Sequence, residues 1–108
     1  MHRTEQVSVL LLKIRTEMEV LELWQSSPPS AEALASTQPF CVDTLHFTEW
    51  LQWLLIPRLQ EMIRQELPLP QSSQIQPMAE EVFKQVQADT DRLLELIEQL
   101  DAQLSVHH

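Results

Sequence analysis

Apolar residues Val7, Leu11, Ile14, Met18 and Leu21 recur at spacings of three and four, with Glu5, Lys13, Arg15, Glu19 and Glu22 between them. That period predicts an amphipathic helix over about residues 4–25, stopped by Ser26-Ser27-Pro28-Pro29, where proline removes a donor and clashes with the preceding turn. Ser30 caps one short turn through Ala31-Glu32-Ala33-Leu34, and Ser36-Thr37-Gln38-Pro39-Phe40 is too broken for a regular element. Asp43 and Thr44 are helix-capping residue types, and beyond them Phe47 to Ile56 is apolar nearly all round. A helix of that kind is surrounded by others, so the central helix is predicted over about 45–67, kinked where Pro57 deletes a hydrogen bond to Trp53.

Leu67-Pro68-Leu69-Pro70-Gln71-Ser72-Ser73 reads as an extended linker, and Pro77 as the first residue of a last helical region. Met78, Val82, Phe83 and Val86 form one apolar face there, while Leu93, Leu96 or Ile97, Leu100 and Leu104 form another. Asp89-Thr90-Asp91 between them competes for backbone donors and predicts a break. No segment lacks helical periodicity in favour of a strand. The predicted fold is therefore all-α: a small up-and-down bundle of three to four main helices with a proline-kinked central helix, one domain over 1–106. His107 and His108 read as a frayed terminus or tag remnant.

Composition sharpens this. In 108 residues there is no glycine and no asparagine, so left-handed backbone positions have no cheap occupant. Gly-rich phosphate loops, dinucleotide fingerprints, EF-hand loops and serine elbows are excluded on steric grounds. Seven Lys and Arg against 16 Asp and Glu give a net charge of −9. That balance repels polyanions and anionic membranes, and the cations are scattered singly, so direct nucleic-acid binding is not expected. One cysteine, Cys41, has no intrachain disulfide partner, and the polar first residues resemble no signal peptide, so the expected compartment is the cytoplasm. No apolar run approaches the ~20 residues that cross a bilayer.

The most specific block is Ser36-Thr37-Gln38-Pro39-Phe40, Asp43-Thr44, Glu49-Trp50-Leu51-Gln52-Trp53 and Ile56-Pro57-Arg58. It resembles the shared motif of the YqcC-like family, small bacterial helical-bundle proteins of unknown function, and the likeness extends more loosely from the first helix to Leu100-Asp101-Ala102. The resemblance implies a link to tRNA pseudouridine synthase C, whose gene lies beside the family's in several bacteria. It does not imply synthase activity, which in enzymes of that kind belongs to a larger α/β fold with an aspartate nucleophile in a basic cleft.

Asp43, His46 and Glu49 share a helical spacing of three, a pattern compatible with a metal or an acid–base pair, but caps and a dipole-favoured first-turn acid account for them more simply. No catalytic, metal or cofactor set is therefore assigned. The candidate binding surface comprises Gln38, Pro39, Phe40, Asp43, Thr44, Glu49, Trp50, Gln52, Trp53, Pro57 and Arg58, divided between a loop patch and a kink patch. In the plain structural account, the first orders the loop and the second lets Arg58 pair with an acid on a neighbouring helix. Capping by Asp43 would contribute about 1 kcal/mol. The leading expectation is a non-enzymatic module that engages a protein partner where loop 36–44 meets the central helix. The alternatives are a small-molecule-binding bundle beside Trp50 and Trp53, or an accessory protein in tRNA modification. The pattern also allows a homodimer.

Overall fold

The computed structural model describes residues 3–69 and 75–104, and among these it contains five helices and no strand. Helix α1 is Arg3–Val20 and α2 is the single turn Ala31–Leu34. Helix α3 is one rod built from Phe47–Trp50, a π-helical segment Leu51–Leu55, and Ile56–Arg64. Helix α4 is Ile75–Phe83 and α5 is Asp91–Leu104. The break predicted near Asp89 is present: Asp89 Oδ1 accepts from Asp91 N at 3.1 Å, and the carbonyl of Thr90 receives the Leu94 amide at 2.9 Å.

Helix α1 lies along α5, α4 packs on α5, and α3 closes the bundle against α1. One core unites Val7, Leu11, Ile14 and Met18 of α1 with Leu51 and Leu59 of α3, Phe83 of α4, and Leu93, Ile97, Leu100 and Leu104 of α5. These are the positions that the three-to-four spacing marks as apolar, and each large aliphatic side chain removed from water contributes roughly 1.5–3 kcal/mol. The domain measures 36 × 31 × 23 Å.

Several boundaries differ from the sequence expectation. Helix α1 ends five residues before position 25. Glu22 turns left-handed at φ 61°, Leu23 N donates to Met18 O at 2.8 Å, and Glu22 N donates to Glu19 O at 3.1 Å. That is a Schellman cap with glutamate in the place usually held by glycine. Pro77 is the third residue of α4, still inside the first turn, where no intrahelical donor is required. Of the expected linker, Leu69 is buried in the core, while residues 70–73 lie outside the described residues, as do His107 and His108.

Candidate functional site

The central helix departs from α geometry just before its proline. Across Leu51–Leu55 the ladder widens, and the Ile56 amide donates to the carbonyl of Leu51, five residues back. Pro57 follows with no N–H to resume the α pattern. A π turn changes the facing of the residues it carries, and such segments are rare and frequently found at functional sites. Here it carries Gln52 and Trp53.

Gln52 is buried at 4% exposure in an otherwise apolar stretch, so both ends of its amide require partners. The segment after α1 supplies them. Gln52 Nε2 donates to Gln25 O at 2.7 Å, and Gln25 N donates to Gln52 Oε1 at 2.8 Å. The side-chain amide thus pairs with a backbone as a neighbouring peptide would. Gln25 returns the connection, since its Oε1 accepts from the Trp53 indole Nε1 at 3.1 Å and its Nε2 donates to Glu49 Oε2 at 3.3 Å. The early end of α1 makes this lattice feasible, because a helix continuing to residue 25 would engage the Gln25 backbone itself.

Between these elements lies an open cleft of about 640 Å³. Arg15, Glu19, Trp24, Gln25 and Ser26 line one wall, and Gln52, Trp53, Ile56, Pro57 and Gln60 the other. Arg15 stands over the Trp24 ring at 4.8 Å and pairs with Glu19 at 3.7 Å. The guanidinium is thereby held against an aromatic face while the side chain stays about half exposed. Trp24 and Trp53 are both half-buried.

The remaining motif residues divide as follows. In the loop patch, Asp43 is not the cap of the central helix. It accepts from Ser36 Oγ at 2.6 Å, and Thr44 Oγ1 donates to Ala33 O at 2.7 Å. The cap position is His46, whose amide donates to Glu49 Oε1 at 2.8 Å. The reason is local: the carbonyl of Cys41 collects the amides of Thr44 and Leu45, which keeps the chain in a turn beyond Asp43 and delays the helix to Phe47. Gln38 and Pro39 are exposed just before that turn, where they open the short 3-10 turn Pro39–Cys41. Phe40 meets Trp50 edge-on at 4.7 Å, Trp50 stacks on Phe47 at 5.7 Å, and Phe47 meets Phe83 of α4 at 5.8 Å. Trp50 therefore belongs to packing between the loop and α3.

Trp50 and Trp53 serve different places instead of one groove. Arg58 is exposed and forms no ion pair among the described residues, contrary to the expected link with a neighbouring helix. Among the described residues no three His, Cys, Asp or Glu side chains converge as a metal site; Asp43 and Glu49 are engaged by Ser36, His46 and Gln25.

Sequence reasoning missed the whole α1 wall of the cleft. The signal was present in Trp24, a large aromatic off the Val7-to-Leu21 stripe and directly before a run of serines and prolines. Helical periodicity carried through residue 25 hid it.

Comparison with known proteins adds the following. The family DUF446, described as tRNA pseudouridine synthase C, matches residues 6–103. An uncharacterised protein of Haemophilus influenzae is 43% identical over 75 residues, covering 69% of this chain and 71% of that one. The uncharacterised protein YqcC of Escherichia coli is 32% identical over 97 residues, covering 83% and 89%. A protein of Pectobacterium carotovorum named tRNA pseudouridine synthase C is 42% identical over 72 residues, which are 67% of this chain but only 19% of that much longer one. The solution NMR structure of E. coli YqcC superimposes with a TM-score of 0.85 at 29% identity, covering 100% of this chain and 97% of that one.

Proposed function

The chain belongs to the YqcC-like family, DUF446, and from that membership we propose that it is a non-enzymatic helical interaction module whose partner is a tRNA pseudouridine synthase C. The observation that carries the reading is the open cleft over the π segment. Its half-buried indoles, its arginine held on an aromatic face and its pinned backbone combine rigid aromatic area with polar specificity, the composition of protein-recognition hot spots.

The identity of the partner draws on the Pectobacterium relative, in which a segment matching 67% of this chain makes up 19% of a protein bearing the synthase's name. Two units on one polypeptide meet at high effective concentration, and a separate chain of the same kind has a reason to meet the same surface. Charge supports the pairing. An enzyme that holds tRNA needs a positive face to meet phosphates, and a chain of net charge −9 is attracted to such a face while being repelled by the RNA. Pseudouridine formation itself is not assigned to this chain.

A small-molecule reading is favoured by one observation: about 640 Å³ falls inside the ~300–1,000 Å³ range of ligand pockets. Against it, such sites enclose most of their ligand, whereas this cleft is open to solvent on one side.

Isothermal titration of the chain into purified tRNA pseudouridine synthase C from the same organism tests the proposal. We expect a dissociation constant on the order of 1 μM, weakened about thirtyfold by Trp53→Ala, the loss typical of a central tryptophan. The absence of any binding heat, or binding indifferent to Trp53→Ala, would contradict it.

A further inference from the structure

Helix α1 is apolar on two sides. Val7, Leu11, Ile14 and Met18 enter the core, and on the opposite side Val9, Leu12 and Val20 are 49%, 60% and 69% exposed. With Lys13, Thr16 and Glu17 these three form a second stripe at spacings of three and four. Lys13 stands between two surface grooves. One, of about 430 Å³, has Val9 and Lys13 on its wall; the other, of about 270 Å³, has Leu12, Lys13 and Glu17.

The charges on this stripe suggest what covers it. Arg15 and Glu19, four residues apart, pair within the helix. Lys13 and Glu17 have the same spacing, yet neither forms an ion pair among the described residues. They lie on one flank of the stripe, one turn apart. Two copies of α1 laid antiparallel about a two-fold axis near its middle bring Val9 of each level with the partner's Val20. Like flanks face each other in that arrangement, so Lys13 of each copy meets the partner's Glu17, twice by symmetry. The stripe is complementary to itself in charge.

We infer that this outer face of α1 is a two-fold self-association surface, occupied by a second copy of the chain through apolar contact of Val9, Leu12 and Val20 and reciprocal Lys13–Glu17 pairs. Its Leu12 edge borders Arg15 and Glu19 on the α1 wall of the cleft, but the inference does not depend on the partner proposed for that site. A single helix pair falls below the ~1,200 Å² of stable interfaces, so the dimer is a weak, concentration-dependent one.

Sedimentation velocity of the full chain from micromolar to millimolar concentration tests the inference, with circular dichroism confirming that each variant keeps its helical content. The wild type should pass from monomer to dimer. Lys13→Glu, which sets like charges against each other, should raise the dissociation constant about tenfold or more. The double variant Lys13→Glu with Glu17→Lys should return it to within about threefold of wild type, because the pair is rebuilt with its signs exchanged. A monomer at every concentration would overturn the inference, as would a dimer unmoved by Lys13→Glu or a folded double variant that fails to recover.

Discussion

Among the described residues four hold a positive φ, and none of them is glycine: Glu22, Phe40, Cys41 and Glu66, at 61°, 57°, 50° and 57°. Each L-residue in that region costs roughly 1–2 kcal/mol. Two of them end helices in the same way. Glu66 repeats the arrangement at Glu22, with Leu67 N donating to Met62 O at 2.8 Å and Glu66 N to Ile63 O at 3.1 Å. A chain devoid of glycine signals no such stop, which is why the end of α1 could not be located from its periodicity alone. The strain also yields a prediction. Glu22→Gly relieves it while retaining both cap hydrogen bonds, and should stabilise the fold by about 0.5–1 kcal/mol, seen as a higher thermal midpoint; a lowered midpoint would contradict the assignment.

Gln52 is the residue on which the cleft depends. Its type was legible as an anomaly, one amide among Trp50, Leu51, Trp53 and Leu54, but its partner 27 positions earlier was not. Gln52→Ala leaves the amide and carbonyl of Gln25 without their protein partners and should cost about 1–3 kcal/mol in urea unfolding. An unchanged midpoint would show that the segment after α1 is held by other means.

At the scale of elements, periodicity located the buried faces of α1, α3 and α5, and three competing polar side chains marked the break before α5. Two features escaped it because they depend on contacts distant in sequence or on ladder geometry. One is the π turn, which no spacing of apolar residues distinguishes from an α turn when nearly every position is apolar. The other is the start of α4. Its first amides, Ile75 N and Gln76 N, donate to Asp101 Oδ1 and Oδ2 at 3.0 and 2.6 Å, so a carboxylate from α5 caps α4 across the bundle. That bidentate cap ties the first turn of α4 to the last turn of α5 and places a negative charge where the α4 dipole favours it. Asp101→Ala should therefore destabilise the fold by about 1.5–3 kcal/mol in chemical denaturation, more than removal of a surface cap. A loss of only a few tenths would show that the cap is dispensable.

For the whole molecule, the all-α class followed from composition and spacing together, since no segment offered strand periodicity and no glycine offered tight turns. The candidate site was legible by half. The block at 36–58 contained Gln52, Trp53 and Pro57, which line the cleft. It also contained Asp43, Thr44 and Phe40, which hold the preceding loop to itself and to α3. Proximity in sequence therefore joined two regions with different roles, and the wall from α1 became visible only once the chain was folded.

The central claim is that the molecule works by docking a protein at this cleft, and its three tryptophans report on it separately. Trp24 and Trp53 line the cleft, while Trp50 is packed among Phe40 and Phe47. The most direct measurement is a ¹H–¹⁵N spectrum of the three indole signals, assigned by single Trp→Phe variants, during titration with unlabelled tRNA pseudouridine synthase C. The account predicts that the Trp24 and Trp53 signals shift or broaden together while that of Trp50 stays in place. Three unmoved signals, or a response confined to Trp50, would contradict it.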